Sequence, residues 1–313
     1  MKQRTVAVLV HPEREEATDK AVQFMESLDA MGFEFLVFDG DLERLSALVP
    51  DAELRALDHH PAEIAVVFGG DGTILRAAEW ALPLGVPLLG VNLGHVGFLA
   101  EMEPSDLEEL PSGAAERRYD VEERTTLKVE VRNPEGELTW SSPAVNEVSL
   151  EKLARERMLT VLVSVDGRPL SRWGCDGVLV STPTGSTAYG FSAGGPVVWP
   201  DVQAILMVPL AAHALFNRPM VLSPSSTVTL DIPEDAGTGG ILWCDGRRSH
   251  ELEFGERVTI TSNAQRVRIA RLGEQPFTTR LVKKFALPVE GWRKRREAGC
   301  SPRCRTTPTA WSK

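Results

Sequence analysis

The chain has 313 residues, 42% hydrophobic and 25% charged, with 34 Lys and Arg against 44 Asp and Glu, a net charge of −10. That length allows two domains, each with a core of its own, and the acidic balance argues against nucleic acid as the main partner. No apolar run is long enough to span a bilayer, and Met1-Lys2-Gln3-Arg4 leads into a strand without the apolar region of a signal peptide. Cys175, Cys244, Cys300 and Cys304 form neither a disulfide framework nor a zinc spacing. The expectation is a cytoplasmic protein without a membrane partner, whose anionic ligands would need a local positive site.

Val6 to Val10 reads as an apolar strand, followed by a helix carrying Ala21, Phe24, Met25 and Leu28 that closes at Gly32, and Phe33 to Phe38 is the next strand. Ile64 to Phe68 is a buried parallel strand that breaks into Gly69-Gly70-Asp71-Gly72-Thr73 and then a helix through Ile74, Leu75, Ala78 and Leu82. Gly85 to Asn92 repeats the strand-and-turn unit. The alternation implies an α/β N-terminal domain, a parallel sheet with flanking helices, over residues 1–118. Ligands in such sheets gather at the carboxyl ends of the strands, where both glycine turns sit.

Past Arg118 the period changes to two. Leu127 to Arg132 alternates, Leu159 to Val165 ends at the hairpin signal Asp166-Gly167, and Thr227–Ile232, Arg257–Thr261 and Val267–Ala270 read as further strands. Residues 119–289 are therefore expected to form a β-rich C-terminal domain, with Ala286-Leu287-Pro288 as a last strand returning to the first domain. Residues 290–313 are polar and basic and read as a disordered tail.

The chemistry concentrates at strand ends. Paired glycines let backbone N–H groups approach a polyanion, and a helix N-terminus adds partial positive charge. Asp71 in the middle of that turn would be repelled by phosphate unless it holds a metal, takes a proton or contacts a sugar hydroxyl; as a helix N-cap it would suit the turn equally well. In the β-rich half, Asp176 to Ser181 runs into Thr182-Pro183-Thr184-Gly185-Ser186-Thr187-Ala188-Tyr189 and then Ser192-Ala193-Gly194-Gly195-Pro196. Such hydroxyls and bared backbone fit either a hydrogen-bonding ligand or an elaborate Ser/Thr turn, and Tyr189 could stack on a base or ring.

These segments occur in one order: the Gly69–Thr73 turn, Asn92-Leu93-Gly94 with Gly97-Phe98-Leu99, Asn146-Glu147, Thr182–Tyr189, Ser192–Pro196, then His213 and Arg218-Pro219. Together they resemble the NAD kinase family over Val6 to Pro288. The glycine–aspartate turn alone is shared with lipid kinases and phosphofructokinases; the long Thr/Ser run with the Asn-Glu pair is specific.

The resemblance implies ATP- or polyphosphate-dependent phosphorylation of the adenosine ribose 2′-hydroxyl of NAD, giving NADP. It gives Asp71 the role of general base, with Gly72 and Arg76 toward the phosphates. Asn146 and Glu147 would hold the adenosine part. Thr187, Ala188, Tyr189 and Ser192 would line the dinucleotide, and Asp176 would reach the nicotinamide amide, in the family often from a neighbouring subunit, so a homo-oligomer, dimer or tetramer, is expected. Arg157 falls where a basic residue faces phosphate, and Arg247 in a ligand-facing turn. No carboxylate cluster offers a metal cage, so a divalent cation, Mg2+, is expected to arrive with the phosphoryl donor. Some members carry an arginine at the place of Gly174, and the sequence leaves open whether Arg172 replaces it. His213 reads as orienting the turn before Arg218. A lipid or sphingoid-base kinase and a non-catalytic NAD(P) sensor are the other readings, which turnover on NAD would separate.

Overall fold

The computed structural model describes residues 4–93, 97–100, 102, 107–273 and 276–289. Gly94 of the second glycine turn and the expected basic tail at 290–313, with Cys300 and Cys304, lie outside the described residues.

The first half alternates strand and helix: β1 (Arg4–Val10), α1 (Glu15–Asp29), β2 (Phe33–Val37), α2 (Asp39–Leu48), β3 (Leu54–Ala56), β4 (Ile64–Phe68), α3 (Asp71–Leu84), β5 (Leu88–Val91) and α4 (Leu110–Glu116). These strands pair in parallel in the order β3-β2-β1-β4-β5. Successive side chains of a strand face opposite sides of the sheet. On one side Val6, Val8, Val10, Phe35, Val66 and Phe68 meet Phe24, Met25 and Leu28 of α1. On the other, Ala7, Leu9, Ala65 and Val67 meet Ile74, Leu75, Ala78 and Leu82 of α3. Both faces are covered, which explains why these strands read as unbroken apolar runs.

The second half forms β6 (Asp120–Arg124), β7 (Leu127–Arg132), β8 (Leu138–Ala144), β9 (Glu147–Lys152), β10 (Leu159–Val165), β11 (Arg168–Cys175), β12 (Gly177–Ser181), the short helix α5 (Tyr189–Ser192), β13 (Ile205–Leu210), β14 (Met220–Leu222), β15 (Val228–Asp231), β16 (Gly240–Cys244), β17 (Arg248–Leu252), β18 (Arg257–Ser262) and β19 (Val267–Arg271). Two antiparallel sheets, β11-β10-β15-β18-β7-β8 and β14-β13-β12-β9-β16-β17, share one core containing Val129, Val161, Trp173, Val180, Met207, Leu230 and Ile260. The alternation of β7 and β10 is that of strands buried on one face.

Two strands cross over. β19 pairs in parallel with β5, and β6 pairs antiparallel with β19, so both extend the first sheet although they fall within 119–289. The chain thus leaves the α/β sheet, builds the two β-sheets and returns. The return is made by β19 and not by residues 286–288: Phe277–Phe285 is the helix α6, ended by Ala286 at φ 49°. That helix belongs to the second of the chain's two compact units. No helix among the described residues is long and apolar enough to cross a membrane. Cys175 and Cys244 are buried and unpaired, and burial pushes their thiols up to about 11 and about 12, outside the range of reactive thiolates.

Candidate functional site

The strand order 3-2-1-4-5 reverses between β1 and β4, and a crevice opens outside the carboxyl ends of these two strands. A cleft of about 420 Å³ occupies that point, lined by His11, Pro12 and Arg14 after β1, Gly70, Gly72, Thr73, Leu75 and Arg76 at the start of α3, and Asp245 and Arg247 from the β16–β17 turn. Thr73 and Ile74 donate their N–H groups to the Gly70 carbonyl, and the N–H groups ahead of them, at Asp71 and Gly72, carry the positive end of the helix dipole. The Arg76 guanidinium lies over the Phe38 ring at 3.8 Å, which holds the charged head group in place. Arg14 donates to the Leu93 carbonyl at 3.1 Å. His11 and Arg14 were not singled out in the sequence, although their place directly after the first strand is a signal for such a site.

Asp71 is the first residue of α3, the N-cap being Gly70, and its side chain makes no capping bond. The cap reading is therefore corrected. Its carboxylate instead reaches across to the segment after β5: Oδ2 accepts the Phe98 N–H at 3.0 Å, and Oδ1 accepts those of Leu99 at 3.0 Å and Ala100 at 3.3 Å. Gly97 is needed for this approach, because a Cβ there would overlap the Asp71 carboxylate. A carboxylate offers about four lone-pair positions, so one is left to accept a further proton.

A second cleft, of about 480 Å³, is lined by Leu75, Asn146, Glu147, Ser149, Glu151, Tyr189, Trp243, Asp245 and Gly246. A third, of about 540 Å³, includes Glu151, Lys152, Arg155, Asp176, Tyr189 and Ser192. Leu75 and Asp245 line both the first and the second; Glu151 and Tyr189 line both the second and the third. The three clefts therefore adjoin in a row from the N-terminus of α3 to Asp176.

The Thr/Ser run shapes these clefts from behind. Ser181, Thr182 and Ser186 are fully buried. The Thr182 hydroxyl donates to the Val145 carbonyl at 2.7 Å, and its N–H donates to that of Asn146 at 2.9 Å. Ser186 Oγ donates to the Pro183 carbonyl at 2.6 Å and accepts the Val198 N–H at 2.9 Å. The hydroxyls fold the chain through a 3-10 turn at Thr184–Thr187 and do not face the clefts. Thr187 and Ala188 do not line the three clefts; Tyr189 and Ser192, which follow, do.

Glu147 is 8% exposed, and its Oε2 lies buried without a hydrogen-bond partner. Burial first, and the neighbouring Asp245 second, push its carboxyl up to about 8, with the Tyr189 backbone N–H opposing. Asp245 is also raised by burial, but the Val145 and Asn146 amides and Arg248 work against that rise. Glu147 has no comparable cation, so its rise from burial is less opposed.

The remaining expectations divide. Asp176 lines the third cleft and pairs with Lys152 at 2.6 Å, a partner the sequence reading missed. Arg157 is exposed, donates to the Gly237 carbonyl at 3.1 Å and lines none of the three clefts. Arg155 of the same loop lines the third cleft instead. The space a side chain would take at Gly174 is bounded by the Met158 sulfur, and Arg172 is tied to Asp235 at 2.5 Å, so Arg172 does not fill it. His213 uses its backbone N–H on the Gly174 carbonyl at 2.8 Å, which anchors the segment before Arg218. Among the described residues no group of three His, Cys, Asp or Glu side chains is arranged to hold a metal ion.

Comparisons with known proteins agree with this geometry. Residues 6–119 match the model of the ATP-NAD kinase N-terminal domain and residues 145–272 that of the ATP-NAD kinase C-terminal domain. An NAD kinase of Cutibacterium acnes is 56% identical over 296 residues, covering 94% of this chain and 93% of that one, and one of Thermobifida fusca is 50% identical, covering 93% and 92%. Among solved structures, a yeast NADH kinase complexed with NADH shares the fold at TM-score 0.82 and 23% identity, over 92% of this chain and 89% of that one. An NAD kinase from Archaeoglobus fulgidus in complex with ATP has TM-score 0.67 at 26% identity, over 91% and 100%. With both domain models matched in order and half or more of its residues shared with these bacterial enzymes along nearly its whole length, the chain belongs to the ATP-NAD kinase family and is a phosphotransferase.

Proposed function

We propose that the protein transfers the terminal phosphoryl group of ATP, or of inorganic polyphosphate, to the 2′-hydroxyl of the adenosine ribose of NAD, forming NADP. The observation that carries this is the row of adjoining clefts, which runs from the N-terminal end of α3 to a buried, unpartnered Glu147 carboxyl oxygen and then to Tyr189 and Asp176. Donor phosphates lie against the N–H groups opening α3, with Arg14, Arg76 and Arg247 on the walls of that cleft. The adenosine ribose sits against Asn146 and Glu147, and the far end of the dinucleotide runs past Tyr189 and Ser192 to Asp176.

In the reaction the ribose oxygen attacks the terminal phosphorus while its proton passes to Asp71. The new O–P bond forms as the bridging P–O bond breaks, and ADP or a shortened polyphosphate leaves. Positioning and charge stabilisation by the amides and arginines supply most of the acceleration. A divalent cation would arrive on the donor phosphates, where it would neutralise their charge. Backbone amides recognise either phosphate chain, and both donors are retained in the proposal. NADP formation from NAD with ATP or polyphosphate as the only donor tests it; absence of product with both would remove it.

The third cleft adds a quaternary expectation. Leu215, Phe216 and Val221 are strongly exposed on and beside the connection from β13 to β14, which leaves the cleft at Leu210 and Ala211. A second copy covering this edge would bring residues to the Asp176 end of the row. Sedimentation showing a fully active monomer at micromolar concentration would sink that part.

Glu147 supplies a pH test. The ribose hydroxyls donate hydrogen bonds to the ionised carboxylate, whereas the empty cleft holds it protonated up to about pH 8. NAD affinity is therefore expected to rise between pH 6.5 and 8.5, about the ordinary range for a group titrating there, with proton release on binding at pH 7. The ligand-free fold should respond in the opposite sense. A carboxyl raised by folding stabilises below its unfolded value and loses that contribution as pH climbs toward 8. Calorimetry in two buffers of different ionisation enthalpy reads the proton release, and Glu147→Gln should abolish it; a release that persists in the variant would acquit Glu147.

A further inference from the structure

We propose that Asp245, Arg248 and Glu79 form a positioning relay that holds the Asn146-Glu147 pair in register with the Asp71 end of α3. The inference rests on the proposed function and adds residues that touch neither substrate's reacting atoms.

Its first link is internal to the β-rich half. The Asp245 side chain is 1% exposed, and its Oδ1 accepts the N–H groups of Val145 at 3.0 Å and Asn146 at 2.7 Å. On the other side, Thr182 holds the Asn146 carbonyl. The backbone at 145–146 is therefore gripped from both faces, and the Val145 side chain enters the same core as Ile74 and Leu75 of α3.

The second link crosses to the helix. Arg248 donates to Asp245 Oδ2 at 2.8 Å and to the Pro143 carbonyl at 3.0 Å, and its other terminal nitrogen meets Glu79 Oε1 at 2.9 Å. Arg247 Nε donates to the same Glu79 oxygen at 2.9 Å. Glu79 lies eight residues after Asp71 on one helix, about 12 Å along a rigid axis. The β16–β17 turn that fixes the acceptor pair is thereby bonded to the helix that carries the base. Asp245 and Leu75 are also the residues at which the donor and acceptor clefts meet. Arg247, expected to face ligand, is in this arrangement engaged by Glu79 at the cleft wall.

The two links separate in kinetics. Cutting at Glu79 leaves the Asp245 and Thr182 grip on residues 145–146 intact and loosens only the register of that pair against Asp71, so kcat suffers while affinity does not. Misplacement by about 1 Å costs up to roughly 10²-fold in rate. Cutting at Asp245 loosens the pocket itself, so affinity suffers. The experiment is kcat, NAD dissociation constant by calorimetry and a melting curve on Glu79→Ala, Glu79→Gln and Asp245→Asn. Glu79→Ala should lower kcat about tenfold or more, with the dissociation constant within about twofold of the unmodified protein and the melting temperature nearly unchanged. Glu79→Gln, which keeps an acceptor oxygen in place, should recover most of the rate. Asp245→Asn should weaken NAD binding at least about fivefold; should it fail to fold, the Glu79 pair decides alone. Unchanged kcat in Glu79→Ala, or a loss of rate matched by equal losses of affinity and melting temperature, overturns the relay. If the unmodified protein forms no NADP, the reading of function fails; if it does and Glu79→Ala equals it, only the relay fails.

Discussion

Asp71→Asn is expected to lower kcat by roughly 10²–10⁴, the usual worth of a positioned general base. The geometry sharpens what else should change. An asparagine oxygen can keep the Leu99 and Ala100 amide bonds, but its NH₂ group would face the Phe98 N–H, donor against donor. That mismatch costs about 1–3 kcal/mol, felt as a lower melting temperature and a looser 97–100 segment. Helix capping contributes nothing to the effect, since Asp71 does not cap α3. If Asp71 only anchors the segment, the loss of rate should scale with the losses in stability and NAD affinity. If it takes the proton, kcat falls far beyond both. A metal-anchoring role predicts partial rescue by raised magnesium. Measuring kcat, NAD affinity, a magnesium titration and a melting curve on the one variant separates the three, and near-normal kcat would remove Asp71 from the mechanism.

Gly185→Ala is expected to be the most disruptive single methyl in the β-rich half. A Cβ at that position would overlap the Cα, C and O atoms of Asn146. Neither partner can yield cheaply, because Asn146 is gripped by Asp245 and Thr182 while the 3-10 turn is fastened through Ser186 to Pro183 and Val198. Overpacking of this kind costs about 1–3 kcal/mol and occasionally more. The displaced Asn146 should raise KM for NAD by about tenfold or more, a kcal/mol or two of lost binding. Gly40→Ala is the matched control. Gly40 lies in the first turn of α2 with open space at its Cβ, so the same added methyl should change stability by less than about 1 kcal/mol and leave KM unchanged. Equal KM values for the two variants would show that the Thr/Ser turn does not hold the acceptor pair.

Much of this molecule is written locally. Ile64–Phe68 is apolar at every position because both faces of β4 are covered, and the alternation in Leu127–Arg132 marks a strand buried on one face. Such periodicities depend only on neighbours in the chain, so the α/β half, the β-rich half and the strand-end position of the glycine turn could be read from sequence. Asn146, Glu147, Tyr189, Ser192 and Asp176, which the family resemblance singled out, line the second and third clefts.

What the chain alone left open depends on distant partners. β6 and β19 join the first sheet because β5 offers them an edge, and no local pattern says which edge a strand will find. Thr182 and Ser186 turn inward because carbonyls of 145 and 183 and the amide of 198 lie within reach, whereas a run of hydroxyls looks the same facing in or out. Asp71 anchors a segment 27 to 29 residues away, and Glu79 meets Arg247 and Arg248 far along the chain, contacts that composition and spacing do not encode. The residue types of the site were fixed by the sequence's chemistry; their pairing, and with it the proton held on Glu147, is set by burial and by which charges tertiary packing brings within a few ångströms.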